Sequence, residues 1–369
     1  MKMKRILFVM QLPPPVHGAA VMNEILANST LISQHFDRRV INVGTAESIE
    51  DIGRFSLVKS FSAFRHLLSI IKSLFVFRPQ VVYFTLSPSG FAFYRDAVYC
   101  LFMRLSGAKL TFHLHGKGIK EGSRNSRLFR WLSRRVFAKS HVIFLSESLR
   151  ADVPFDYKAA YIVNYGLPVQ PDSAKIVSSE EKVANLLYIS NYVRTKGVLD
   201  LIDAVEIVAR SHGEFHLTLA GKPFDITLEY LTEHVAKKGL DGKVTIFGPK
   251  YGEEKKRLLQ SADLFILPTY YENEAFPLSI LEAMQYSLPV ISTYEGGIPD
   301  MIDNGSTGLL YQQRDIKGLA DSISFLLDHP EQQLKLGRAA REKFLRKYTV
   351  PIFEDNILKA LECIIATES

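Results

Sequence analysis

Cysteine is scarce in this chain: there are two in 369 residues, Cys100 and Cys363. Each has apolar neighbours, Val98-Tyr99 and Ile364-Ile365. That scarcity excludes a disulfide framework or a cysteine-rich metal cluster, and it suits buried thiols in a reducing compartment. Long apolar runs are also missing. A membrane span needs roughly 18 to 20 such residues, and the nearest approach, Phe91 to Leu105, is interrupted by Arg95, Asp96 and Arg104. The basic start Met1-Lys-Met-Lys-Arg is followed only by the short apolar run Ile6 to Met10. That run is too short for a signal peptide and suits a first β-strand. No low-complexity tract occurs, and 47% hydrophobic with 23% charged residues is a globular composition. These absences predict a cytoplasmic globular protein long enough for two domains.

What is present is unevenly distributed. The net charge of +6 conceals +13 over residues 1–165 and −7 over the remainder. One half is therefore expected to meet an anionic surface. The basic residues alternate with Phe, Leu and Trp, as in Arg54 to Arg78 and in Arg124 to Lys139 with Trp131. No nucleic-acid-binding module is recognisable. An anionic membrane face is the expected partner and nucleic acid is not; a core helix with a solvated basic face is the plainer alternative.

Short β-like runs alternate with helical patterns throughout. In the first half the strands are Arg5 to Gln11, Val40 to Val43, Val81 to Thr85, Lys109 to Leu114 and His141 to Leu145, with Gly18 to Leu31 a helix. A polar stretch, Pro171 to Lys182, reads as a linker. A second alternation uses Leu186 to Ser190, His216 to Ala220, Val244 to Phe247, Leu264 to Leu267 and Val290 to Ser292. Such alternation implies α/β domains built on parallel sheets. The expected division is 1–170, 183–348 and a C-terminal helix, 349–369, that packs back on the first domain.

The most informative segment runs from Tyr270 to Met284. A buried strand, Asp263 to Leu267, ends in a Pro-Thr turn, and Phe276-Pro277 opens a helix, where a proline early in the first turn sacrifices no hydrogen bond. Glu274 then stands at the C-terminal end of a strand, where open α/β sheets bind ligands, and Glu282 about two turns into the helix. Two carboxylates at this spacing can accept hydrogen bonds from a ribose or polyol. A bare Glu-x7-Glu is equally a helix cap followed by an unrelated surface residue. Beyond it, Val290 to Gly297 reads as a strand entering a Glu-Gly-Gly turn, and Asn304-Gly305-Ser306-Thr307-Gly308-Leu309-Leu310 as a turn and strand.

In order and spacing, P-T-Y-Y-E-N-E-A-F-P-L-S-I-L-E-A-M, L-P-V-I-S-T, G-G-I-P-D-M-I and N-G-S-T-G-L-L resemble the C-terminal signature of the retaining nucleotide-sugar glycosyltransferases of family 4. That resemblance implies the GT-B fold: two Rossmann-like domains facing across a cleft. It also implies a donor site. Lys196-Gly197 matches the family's phosphate-binding pair, whereas Ser190 and Asn191 replace its Gly-Arg. Arg194 is expected to fill the gap left by that arginine, so that Lys196 and Arg194 clamp the diphosphate; a solvated turn arginine is the plainer alternative. Gly221 matches the family's glycine after the next strand. Lys250 and Tyr251 stand in the loop whose backbone holds the nucleobase. Glu282 would accept from the ribose, Glu274 would contact the transferred sugar, and the amides of Ala275 and Phe276 would meet its hydroxyls or phosphate.

On the acceptor side, Gly18 remains of a glycine-rich turn in which His17 replaces another glycine. His115-Gly116 occupies the family's cleft-histidine position. Strand alternation sends His113 and His115 to one face, and either can instead be a buried structural histidine. The resemblance makes His115 a donor-sugar ligand and not the general base, since the leaving phosphate helps to take the acceptor proton in this class. Asn164 is expected to be structural. No Asp-x-Asp motif is present, and no metal or other cofactor is expected beyond the nucleotide sugar itself. The implied reaction moves a hexosyl unit from a UDP- or GDP-sugar to a glycan or lipid-linked acceptor in cell-surface polysaccharide assembly. A nucleotide-sugar 2-epimerase and a non-catalytic nucleotide-sugar binding protein are the rival readings.

Overall fold

Strands Val81–Thr85 and His141–Phe144 are buried at every position, as expected of central strands covered on both faces by helices. The computed structural model describes residues 3–44, 57–171, 183–212 and 214–367, with the backbone path alone for 57–60. Most of the Pro171 to Lys182 stretch and the beginning of the Arg54 to Arg78 segment lie outside the described residues. Two compact units are present: Met1–Gly166 with Val350–Ser369, and Leu167–Thr349.

The first unit runs β1 (Lys4–Met10), α1 (Gly18–Asn28), α2 (Thr30–His35), β2 (Phe36–Asn42), α3 (Leu57–Phe77), β3 (Val81–Thr85) and α4 (Gly90–Leu105). It continues through β4 (Lys109–Leu114), α5 (Ile119–Asn125), α6 (Arg127–Phe137), β5 (His141–Phe144) and β6 (Ala159–Ile162). These strands form one parallel sheet in the order β2-β1-β3-β4-β5-β6. The crossovers β2 to β3, β3 to β4 and β4 to β5 move the same way across the sheet. Right-handed connections therefore put α3, α4 and α6 on one face and α1, whose crossover moves the other way, on the opposite face.

The second unit runs β7 (Ala184–Ile189), α7 (Val198–Val208), β8 (Phe215–Ala220), α8 (Leu228–Lys237), β9 (Val244–Phe247) and α9 (Gly252–Ser261). It continues with β10 (Leu264–Leu267), α10 (Leu278–Gln285), β11 (Val290–Thr293), α11 (Ile298–Met301), β12 (Gly308–Tyr311), α12 (Ile316–Asp328) and α13 (Pro330–Lys347). Its parallel sheet has the order β12-β11-β10-β7-β8-β9. The last helix, α14 (Val350–Ala366), belongs to the first unit and packs on α2. The Lys109 ammonium, at the start of β4, donates to the carbonyls of Ile364 (3.1 Å) and Ile365 (2.8 Å). A cation there satisfies carbonyls that the end of a helix leaves unpaired.

Four sequence readings need correction. Gly18 to Leu31 is two helices, because Ser29 ends α1 and caps α2 through Ile32 N (3.2 Å). Strand β6 has no counterpart among the strands expected from sequence, because Ala159-Ala160-Tyr161-Ile162 is short, partly exposed and without clear alternation. Helix α10 begins at Leu278 with Pro277 as its cap, so Glu282 lies about one turn in rather than two. Cys363 is exposed, and only Cys100 is buried.

Candidate active site

In a parallel sheet every strand-to-helix loop leaves from the same edge. In the second unit the crossovers reverse direction between β7 and β10, which lie side by side. A reversal of this kind opens a crevice at the C-terminal ends of the two strands. The loop after β7 carries Lys196, and the loop after β10 carries Glu274. Tyr270 N donates to Thr195 O at 2.8 Å, tying the loops together. Gly197 caps α7 with φ 77°, and a Cβ there would stand 2.1 Å from the Pro268 carbonyl oxygen. Only glycine permits that approach.

The Lys196 ammonium and the Glu274 carboxylate form an ion pair, with side chains 16% and 8% exposed. Thr269 Oγ1 donates to the same carboxylate oxygen (3.3 Å), and the ammonium lies 4.9 Å from the centroid of the Tyr271 ring. The Glu274 backbone is held from behind. Gly297 N donates to Ala275 O (2.8 Å), and Gly296, at φ 55°, would place a Cβ 2.1 Å from Glu274 O. From β11, Ser292 Oγ donates to Leu267 O (2.6 Å), and the Thr293 hydroxyl donates to Thr269 O. The turn carrying Glu274 is thus fixed from three sides. Ala275 and Phe276 are buried in it, Phe276 edge-to-face with Tyr348 at 5.9 Å.

The other expected donor residues are placed less uniformly. Ser190 N donates to Ala220 O (3.2 Å) and Gly221 N to Phe247 O (3.3 Å), so these residues join the loops after β7, β8 and β9. Asn191 contributes its carbonyl, which accepts from Val193 N (2.8 Å). Glu282 is paired with Lys255 of α9, Nζ to Oε1 2.6 Å. Lys250 is paired with Glu254 at 2.6 Å, and Tyr251 is 71% exposed at the start of α9. The Arg194 guanidinium lies 6.0 Å from the Tyr230 ring centroid, and its amide donates to Asp225 Oδ1 (2.8 Å). Thr269, Tyr271 and Gly296 were not singled out from sequence. The Pro-Thr turn and the Glu-Gly-Gly turn were the signals that contained two of them.

The first unit gathers a second cluster at the C-terminal ends of its strands. His113 and His115 have ring centroids 4.1 Å apart. His113 Nδ1 is bonded to the Tyr83 hydroxyl, and His115 Nδ1 to the Tyr165 hydroxyl (2.8 Å). Burial lowers the His113 pKa to about 3. It lowers that of His115 well below the ordinary value, helped by His113 and His17, and His17 is itself lowered by burial. Where the tyrosine hydroxyl is the donor to Nδ1, a neutral imidazole carries its proton on Nε2. Both Nε2 atoms are buried without a protein partner. His17 caps α1 by accepting from Ala20 N (3.3 Å), which sets Gly18 as the first residue of that helix. Asn23 of α1 donates to Gln11 O (2.9 Å) and accepts from Thr85 Oγ1 (3.3 Å), fixing the exit of β1. Asn164 donates to Leu145 O (2.6 Å), a structural tie across β5 and β6. Tyr83 and Tyr165 were not anticipated, because their hydroxyls meet the histidines only through sheet register and the loop after β6.

The fold is similar to that of a glycosyltransferase from Rickettsia africae ESF-5, with TM-score 0.77 at 18% identity, covering 100% of each chain. It is also similar to the Anabaena protein HepE in complex with UDP-glucose, with TM-score 0.71 at 17% identity, covering 97% of this chain and 99% of that one. The chain therefore has the two Rossmann-like domains of the GT-B class. Residues 169–343, just under half of the chain, match the family model described as glycosyl transferases group 1. Over 160 residues the chain is 32% identical to the glycogen synthase of Mycobacterium tuberculosis, covering 43% of this chain and 38% of that protein. Over 173 residues it is 32% identical to the N-acetyl-alpha-D-glucosaminyl L-malate synthase of Bacillus anthracis, covering 47% and 43%. The match thus spans about two fifths of the length of these relatives.

Proposed function

We propose that this protein is a glycosyltransferase that moves a hexosyl unit from a nucleotide diphosphate sugar to a glycan or lipid-linked acceptor, with retention at the anomeric carbon. Assembly of a cell-surface polysaccharide is the setting that fits, since the amylovoran biosynthesis glycosyltransferase of Erwinia amylovora is among the relatives, 27% identical over 205 residues. The observation that carries the reading is the Lys196–Glu274 pair at the β7–β10 reversal. The ammonium, immediately before the N-terminus of α7, stabilises the diphosphate as negative charge builds on the leaving oxygen. No metal is required in this reading, because the cation and the helix end supply the positive potential. Glu274, held by Thr269, accepts hydrogen bonds from hydroxyls of the transferred sugar. Glu282 accepts from the ribose, and the loop of Lys250 and Tyr251 borders the nucleobase. His115 is assigned as a sugar ligand and does not act as base, because burial keeps its basicity low.

A thermal-shift and product-release screen across UDP- and GDP-sugars tests this. A donor at a hundred times its dissociation constant should stabilise the fold by about 2.7 kcal/mol. Stabilisation by no nucleotide sugar would remove the assignment.

A further inference from the structure

The layer formed by α3, α4 and α6 has an outer surface unlike that of an ordinary globular protein. On α3 the exposed large residues are Phe61, Phe64, Leu68, Phe75 and Val76, at a spacing that puts them along one stripe. On α4 they are Phe91, Val98, Leu101 and Leu105, again one stripe. On α6 Leu128 and Trp131 are 57% and 54% exposed. Helix α4 packs against both α3 and α6, and all three cover the same face of the sheet, so the stripes are neighbours. Contiguous apolar surface on this scale marks an interaction site rather than scatter.

The exposed charges on these three helices have one sign. Arg65 and Lys72 flank the α3 stripe, and α6 exposes Arg127, Arg130, Arg134 and Arg135 around Trp131. The only acid in the three helices is Asp96, which is buried against Arg95 and accepts from Ser87 N (2.8 Å). The Arg135 guanidinium lies 5.1 Å from the Trp131 ring centroid. A hollow of about 410 Å³ opens beside it, lined by Arg127, Arg130, Trp131, Arg134, Phe155 and Asp156 with Pro154. No helix among the described residues is long and apolar enough to cross a membrane.

We propose that the α3–α4–α6 face docks on an anionic lipid surface, with the phenylalanine and leucine stripes entering the headgroup boundary and the α6 arginines binding lipid phosphates. Aliphatic and aromatic side chains interleaved with arginine, with Asp156 the one acid in the lining of the α6 hollow, are complementary to such a surface on both counts. Arginine also suits the depth, because its stem stays in apolar surroundings while the guanidinium reaches phosphate. An acidic protein partner would match the charge but would leave the two long apolar stripes without an apolar counterpart.

Trp131 is the only tryptophan in the chain, so its emission reports this face alone. The full chain is mixed with vesicles of phosphatidylcholine, with and without phosphatidylglycerol, at low and high salt. Binding to the anionic vesicles, lost in salt and accompanied by a blue shift of Trp131 emission, is the expected result. Combining Arg127→Glu, Arg130→Glu, Arg134→Glu and Arg135→Glu should lower partitioning at least about tenfold. Phe75→Ser with Leu101→Ser should lower it as well while circular dichroism stays unchanged. Equal binding to neutral vesicles, no binding, or binding without a Trp131 shift overturns the proposal. A shift that follows protein concentration without lipid would assign the face to a second copy of the chain and also overturn it.

Discussion

The ammonium of Lys196 is paired with the carboxylate of Glu274, 78 residues further along the chain, in a site where both side chains are largely withdrawn from water. Neither residue has meaning alone. An unpaired ammonium there would be poorly solvated, and an unpaired Glu274 would repel a diphosphate. Together they form a nearly neutral couple that presents one cation to phosphate and one acceptor to sugar hydroxyls.

Lys196→Ala and Glu274→Gln should each lower turnover at least about a hundredfold, the scale for one preorganised electrostatic contact. The glutamine variant keeps the Thr269 contact and should fold like the parent. Glu274→Ala should also lose stability, about 1 to 3 kcal/mol, because it strands Lys196 and Thr269. Steady-state kinetics beside urea melts separate the two effects, and parental turnover in Lys196→Ala would sink the donor-site assignment.

Gly296→Ala tests the support behind Glu274. Alanine at φ 55° is strained, and its Cβ would stand 2.1 Å from Glu274 O, so backbone must move. We expect donor affinity to fall about tenfold or more and the fold to lose roughly 1 to 3 kcal/mol, as for strained backbone positions. Calorimetry with the nucleoside diphosphate and a thermal melt measure both; unchanged affinity would mean the turn is not rigid.

Arg194 rests on Tyr230, a partly exposed cation–π contact of ~0.5 to 1 kcal/mol. A hydrogen bond to a charged phosphate is stronger, ~1.5 to 3 kcal/mol, so bound diphosphate should draw the guanidinium off the ring. We propose that it completes the clamp that Asn191 leaves short of one cation. Arg194→Ala should weaken diphosphate binding within that range, whereas Tyr230→Ala should leave it the same or slightly tighter. If calorimetry finds Arg194→Ala unchanged, Lys196 acts alone.

The buried histidines make acid stability predictable. The folded-state pKa of His113 is about 3, below the ordinary 6.5 of an unfolded chain, so the unfolded state binds more protons between these values. Stability from this group is fully present above pH 6.5 and declines as pH falls toward about 3. His115 is shifted in the same direction and adds to the loss. His113→Gln, which keeps an acceptor for Tyr83, should flatten the pH dependence of urea unfolding below pH 6.5. An identical slope in parent and variant would show that His113 does not titrate in this window.

The alternation of short apolar runs with helical stretches was enough to establish two parallel-sheet halves. A strand buried on both faces must be apolar throughout, and its neighbours in the chain show this. The same holds for Lys196, Glu274 and the turn at Gly296, whose types and spacing mark loops at the ends of strands. Tertiary structure alone decided the partners. It paired Glu282 with Lys255, put Arg194 on Tyr230, tied His115 to Tyr165, left Cys363 exposed, and made an uncovered face of three helices whose periodicity resembles that of core helices. Apolar periodicity says that a helix has an apolar side, not what covers it. Ion pairs between loops 78 residues apart form because strand order reverses at β7 and β10, and strand order is a property of the assembled sheet, not of any local segment.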